Sequence, residues 1–358
     1  MHVRRISWQL AIVVAAGIGA MQSSLAVDTV IRRSTDKPAV GEITSVSKTE
    51  VVVTPKVGEP TSVPANDIVD IDYAAAPPSL RLGRSQERSG QFAQALESYA
   101  QAASDGATTN ANLRAEIEFL QARTAGKAAL GDPTSLAAAA EGLQGFLDRN
   151  RDHYRAFEAQ QFLGEVLLAA DQVPAAEAAF MAVSAAPWPD LQMAGKLGLA
   201  RIMQQQGNAP GAQAIFDEVV AGASANDPAT AARRLEAMLG QAQCLRVQGK
   251  HAEAIPVFAT VVRDSSENET RLQAEAYIGE GEACLAAGNR EKEALTKVLI
   301  VDVVPSLAQH GDLHAQALYQ LAQLWPAVGQ PVRGAEASAK LEQDYPNSEW
   351  AKKLSGAQ

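Results

Sequence analysis

The stretch Gly90-Gln91-Phe92-Ala93-Gln94-Ala95-Leu96-Glu97-Ser98-Tyr99-Ala100-Gln101-Ala102 sets the reading of most of this chain. A turn glycine is followed by an aromatic residue two positions on, alanine five on, a second aromatic nine on and a small residue twelve on. The template returns as Asp171, Val173, Ala176, Phe180 and Val183. It recurs as Gly207, Ala209, Ala212, Phe216 and Val219, and as Gly249, His251, Ala254, Phe258 and Val261. A small residue sits seven positions before each turn, at Gly83, Gly164, Ala200, Ala242, Gly281 and Ala322. Self-similarity at a period of 20 to 50 residues is the mark of a stacked repeat architecture.

The physics of the pattern is helix pairing. Alanine or glycine at the two small positions lets adjacent helices approach closely, and the aromatic nine after the turn fills the space between layers. Composition agrees: 69 of the 358 residues are alanine and only 5% are aromatic. Alanine costs no side-chain entropy in a helix, so this composition suits many thin helical layers better than one thick core.

These residues resemble tetratricopeptide repeats, paired antiparallel helices with small residues at the crossing, and the resemblance covers about 280 residues. It implies an α-solenoid of about seven helix pairs over residues 77–358, with a C-terminal capping helix after Tyr345-Pro346-Asn347-Ser348. That ending is similar to exported bacterial tetratricopeptide proteins of the cell envelope. The turns at 171, 207, 249, 288 and 329 lie 36, 42, 39 and 41 apart. A standard repeat is about 34 residues, so the surplus is expected in longer loops or an extra helical turn. Three copies are imperfect: residues 110–150 have a blurred signature, the copy at Gly288 carries an extra residue before Ala294, and the last has no aromatic.

Outward from the repeats, residues 27–76 change character. Thr29–Ile31, Glu42–Val46, Glu50–Thr54, Thr61–Val63 and Ile68–Ile71 gather β-branched residues between turn residues and read as short strands. Gly41 sits where a small barrel needs a strongly bent strand. This module resembles the Sm-like and SH3-like small barrels, with a structural cap or protein-docking surface as its expected role. Five basic against eight acidic residues in it speak against RNA.

Residues 1–26 combine Arg4 and Arg5, an apolar run from Trp8 to Met21 and Ser24-Leu25-Ala26, the three parts of a secretory signal peptide. The run is shorter than the roughly 20 residues that span a bilayer. An exported protein of the periplasm or cell envelope, soluble after cleavage, is expected. Removing the peptide changes the net charge from −10 to −12. An acidic chain without a basic stripe is a poor match for nucleic acid.

Catalytic constellations are missing from the sequence, which holds no H-E-x-x-H, G-x-S-x-G or Walker-type loop. No enzymatic activity, cofactor or metal is expected. His310 and His314 are four apart, but a metal pair needs a further ligand, so they are read as surface histidines. Cys244 and Cys284 fall at near-equivalent positions in adjacent first helices. They are either two small buried side chains or a bridge, and the bridge is strained because packed helix axes lie about 8–10 Å apart while a disulfide prefers Cα atoms within about 7 Å.

What the resemblance implies for binding is an inner groove lined by each first helix, at about thirteen, ten, six and three positions before the turn. Mapped here, these are Glu158, Gln161, Glu165 and Leu168; Leu197, Arg201 and Gln204; Glu236, Leu239, Gln243 and Arg246; Glu275, Ile278, Glu282 and Leu285; then Gln316, Tyr319 and Gln323. Such a mixed lining suits an extended or helical peptide. The expected function is a scaffold that binds other proteins through this face. The alternative is a glycan- or small-ligand-binding accessory subunit using the crevice between β module and solenoid. Self-association through the terminal repeats is a third possibility.

Overall fold

The computed structural model describes residues 27–105 and 110–356; the expected signal peptide lies outside the described residues. Five antiparallel strands come first: β1 (Asp28–Arg32), β2 (Ala39–Val46), β3 (Glu50–Thr54), β4 (Thr61–Pro64) and β5 (Ile68–Asp72). They lie in the order β4-β3-β2-β1-β5, and a single 3-10 turn, Ala65–Asp67, joins β4 to β5. Each strand coincides with a β-branched run of the sequence. β2 starts earlier than its run because Ala39–Gly41 pair with β1, and Gly41 also lies close against β3: a Cβ there would lie 2.3 Å from the Thr54 carbonyl oxygen. A register shift between Ile43 and Ser45 adds to the bend.

Helices fill the rest. Seven antiparallel pairs follow in chain order: α1 (Pro78–Arg88) with α2 (Phe92–Ser104), α3 (Ala111–Gly131) with α4 (Leu136–Arg149), α5 (Ala156–Ala169) with α6 (Val173–Ser184), α7 (Pro189–Gln205) with α8 (Ala209–Gly222), α9 (Pro228–Val247) with α10 (His251–Asp264), α11 (Thr270–Ala286) with α12 (Glu291–Val303), and, after the one-turn α13 (Pro305–Ala308), α14 (Gly311–Ala327) with α15 (Pro331–Asp344). The capping helix α16 (Glu349–Ser355) begins at Ser348, whose side chain accepts from the Ala351 amide. No described helix is long and apolar enough to cross a membrane.

The turn positions carry the left-handed backbone that stops one helix and starts the next. Gly90, Gly207, Gly249, Gly288 and Gly329 have φ between 72° and 83°, and Asp171 has φ 57°. After Gly288, Asn289 is also left-handed (φ 56°), which accommodates the extra residue of that copy. The aromatics nine after the turns are the interlayer pegs. Tyr99, Phe180, Phe216 and Phe258 are all buried. Each faces glycine: a Cβ on Gly198 would lie 2.2 Å from the Phe180 ring, one on Gly240 2.3 Å from Phe216, and one on Gly279 2.5 Å from Phe258.

The solenoid bends far enough to meet itself. α14 packs on α3, where Gly131 and Gly311 bring two backbones together: a Cβ on Gly311 would lie 2.9 Å from the Gly131 Cα. Gly90 abuts Gln309, and the Asn347 amide donates to Asp132 across 215 residues of sequence. The first helices therefore face the interior of a ring.

The β module is fixed to this ring by a buried ionic knot. Glu116 on α3 is wholly buried and accepts from Arg84 (3.3 Å), Arg155 (3.1 Å) and the Tyr154 hydroxyl (2.6 Å). The same guanidiniums reach β5: both Arg84 terminal nitrogens donate to the Ile71 carbonyl (3.2 Å each), and Arg155 donates to the Val69 carbonyl. Asp70 completes the knot, 3.0 Å from Arg84 and 3.5 Å from Arg155. One continuous apolar cluster runs from Val30 and Ile71 into α1–α6, so the module caps the first repeats.

Candidate functional site

The interior of the ring holds two adjoining lobes, both open to solvent, of about 500 and 520 Å³, which share Phe92, Lys127, Gln161, Glu165, Arg233, Arg271, Gln309 and His310. Their walls come mainly from the first helices: the carboxy-terminal ends of α1 and α3, and the amino-terminal halves of α9 and α11 among them. The first lobe lies between the β module and the solenoid. Asn66, Ile68 and Val69 form one wall, and Tyr154, Phe157, Phe162, Trp188 and Leu191 the other. The second has mostly charged residues on its walls, Arg88, Arg201, Glu236, Glu269 and Glu275 among them.

Charge in this chamber is paired helix to helix. Arg201 bridges Glu165 (3.9 Å) and Glu236 (3.4 Å), and Arg233 contacts Glu236 at 2.7 Å. Arg271 holds Asp312 with two donors, at 3.0 and 2.6 Å, and Glu275 at 3.1 Å. Arg123 and Lys127 share Glu87. Burial pushes the Glu87 carboxyl up, but the two cations overcome this and hold it down at about 2. Burial raises Glu275 despite Arg271 and Arg201 nearby. Arg33 and Asn66 both reach Asp190 from the β module, tying that wall to the start of α7.

The groove residues expected from the repeat offsets divide into three groups. Glu158, Gln161 and Glu165 line the first lobe, and Gln161, Glu165, Arg201, Glu236 and Glu275 the second. A second set runs along the same helices outside both lobes. Gln204 donates to the Gly240 carbonyl and the Cys244 thiol, Arg246 pairs with Glu282 at 3.0 Å, and Gln316 and Gln320 both donate to Glu282. Gln243 is half-buried, Gln323 is exposed, and Tyr319 stacks on Trp350 of the cap. The third group corrects the expectation. Leu197, Leu239 and Ile278 are only 1%, 2% and 3% exposed. In these three copies the ten-before residue is apolar and packs in the interlayer cores, whereas Gln161 at the same offset lines the chamber.

The histidines also differ from the sequence reading. His310 is the residue before α14, as Gly311 suggested, yet it is half-buried in the chamber wall and bonded to Thr270. Burial lowers its pKa to about 4. His314 is buried, bonded to Asp302 and the Tyr345 hydroxyl. Neither is a surface residue; both serve as polar staples at the C-terminal end. Cys244 and Cys284 are free and buried.

Sequence reasoning missed Glu87, Arg123, Lys127, Trp188, Arg233, Arg271 and Asp312. Two signals were available. The offsets of six and three before Gly90 land on Arg84 and Glu87. Arg233 and Arg271 sit in the extra N-terminal turns of α9 and α11, which is where part of the repeat surplus lies.

Residues 236–267, the end of α9 and all of α10, match the tetratricopeptide repeat family. The match identifies that helix pair as a tetratricopeptide repeat; α5–α6 and α7–α8 repeat its turn, small residue and aromatic peg, whereas α11–α12 keeps the turn and small residue with Val298 in the place of the peg. No curated protein matches the chain. Among solved structures it is similar to a tetratricopeptide repeat protein from Parabacteroides merdae, at 15% identity and TM-score 0.47, covering 78% of this chain and 96% of that one. A Rap protein complexed with Competence and Sporulation Factor shares 14% identity at TM-score 0.43, with 77% of each chain covered. A signal-transduction ATPase with a tetratricopeptide repeat sensor from Pyrococcus horikoshii shares 13% identity at TM-score 0.42, with 78% of this chain and 43% of that one covered.

Proposed function

We propose that this is an exported, non-enzymatic binding protein that holds a segment of a partner polypeptide in the chamber enclosed by its solenoid. The observation that carries the reading is the convergence of successive first helices on one interior, with Gln161, Glu165 and Arg201 presented side by side. A solenoid offers an extended concave surface with one set of side chains per repeat, the form of site that reads a linear segment. Mutually paired charges suit such a segment, because its amides can exchange hydrogen bonds with the rim while no lone buried charge has to be matched. The amino-terminal sequence supports export to the periplasm or envelope. The strand order and the 3-10 turn before β5 support an Sm- or SH3-like reading of the β module.

A photo-crosslinking residue at Gln161 tests this. Captured protein should appear with Gln161 substituted and not with Met181, which is exposed on α6 outside both lobes. Equal capture from both positions, or capture from neither, removes the reading.

One observation favours a glycan or small ligand instead. The first lobe has the volume of a small-molecule site and combines Trp188 and Phe162 with Asn66 and Gln161. Saturable quenching of Trp188 fluorescence by a sugar or metabolite, with no protein captured at Gln161, would select that alternative.

A further inference from the structure

We propose that the contact between α3 and α14 is a clasp: the ring opens there to admit the partner segment sideways and closes behind it. The inference rests on the chamber being a polypeptide site, because an internal segment flanked by folded domains cannot thread through a closed ring.

The seam differs in kind from the other junctions of the solenoid. Along the chain each helix layer shares buried side chains with the next, through apolar clusters that overlap from Val30 to Ala351. Among the described residues no such cluster joins the amino-terminal layers, up to Ile202, with the carboxy-terminal ones from Ala274 onward. Contacts at the seam include Gly131 against Gly311, Gly90 against the Gln309 side chain, and the exposed Asn347–Asp132 hydrogen bond of 3.3 Å. Glycine on glycine removes little apolar area from water, and hydrophobic stabilisation scales with that area. A solvent-exposed hydrogen bond exchanges readily with water. Separating the seam therefore disrupts no core. The movement can be spread as small rotations over the seven stacked layers, which away from the seam contact mainly their neighbours. Opening at this point also exposes the chamber along its length, since Gln309 and His310 are both seam neighbours and chamber walls.

The test uses the mature protein carrying Pro133→Cys and Pro346→Cys, exposed positions that flank the Asn347–Asp132 hydrogen bond and leave it in place, with the buried native cysteines also kept. Donor and acceptor dyes on the two new thiols should show two exchanging populations by single-molecule energy transfer, one close and one separated. Gly311→Leu, which leaves no room against Gly131, should shift the balance toward the separated one. A single unvarying population overturns the clasp. Bridging the same two thiols with a short bismaleimide should then abolish capture at Gln161 that the unbridged variant shows. Capture that survives bridging overturns the clasp and leaves polypeptide binding intact. If the unbridged variant captures nothing, polypeptide binding fails, and the energy-transfer populations alone decide whether the clasp opens.

Discussion

Glu116→Ala is expected to destabilise the amino-terminal half of the protein by about 3–5 kcal/mol, the usual cost of removing one partner from a buried ion pair. The carboxylate is completely buried, and its loss takes a shared partner from Arg84 and Arg155, whose side chains are 10% and 6% exposed; Arg155 keeps Glu158 at 2.7 Å. Arg84 then depends on Asp70, which lies 3.0 Å away and is shared with Arg155 at 3.5 Å. Both guanidiniums hold the backbone of β5, so the β module should loosen with them. Urea unfolding followed by circular dichroism gives the size of the loss, and limited proteolysis of residues 27–76 reports the loosening. The effect has a defined pH dependence. Burial pushes the Glu116 carboxyl up, but Arg155 and Arg84 overcome it and hold it at about 2. A carboxylate with a depressed folded pKa stabilises above its unfolded value, 4.5 here, and that contribution fades as pH falls toward 2. The gap between wild type and Glu116→Ala should therefore be widest above pH 4.5 and close on acidification. A gap under 1 kcal/mol at neutral pH, or one that widens in acid, would show that Asp70 already neutralises the knot.

The repeat architecture was legible because its constraints are local. A left-handed turn favours glycine, and the close helix crossing needs Ala or Gly seven before it. The gap that crossing leaves takes one aromatic ring. These demands fall at fixed offsets, so Gly207, Ala200 and Phe216 announce a helix pair without any long-range information. The strands were legible for a similar reason, since Val51, Val52 and Val53 between turn residues have few other solutions. Closure of the ring left no such trace. It depends on small rotations accumulated over seven layers, and the residues that meet, Gly131 and Gly311, look like ordinary helix-end glycines in the sequence.

The candidate site was half legible for a related reason. The offsets found Gln161, Glu165, Arg201, Glu236 and Glu275, but they assume a standard first helix. Where α9 extends to 20 residues, its added turn places Arg233 in the chamber beyond the reach of the template. Three of the ten-before residues illustrate the opposite error. At Leu197, Leu239 and Ile278 the side chain is apolar and belongs to the core. Its chemistry argued for burial more strongly than its spacing argued for the groove.

Phe180→Ala should cost about 3–5 kcal/mol, the range for deleting a buried phenylalanine ring. Of the interlayer pegs it has the tightest surroundings. Cβ atoms on Gly164 and Gly198 would lie 2.7 and 2.2 Å from its ring, so the ring is gripped by glycines of its own pair and of the next. Truncation leaves a cavity between α5, α6 and α7 that glycines cannot fill, because they have no side chain to move into it. The site also cannot collapse freely, since the layers on either side hold it apart. A solenoid transmits this loss only to neighbouring layers, so the damage should be local. Hydrogen exchange should accelerate in α5–α8 and stay unchanged in α14–α15, while the thermal transition shifts down by several degrees. Phe180→Leu, which keeps most of the apolar volume, should recover roughly half of the loss. Uniform acceleration through all seven pairs would mean that the ring folds as one cooperative unit, with stability shared across the seam as well as along the chain.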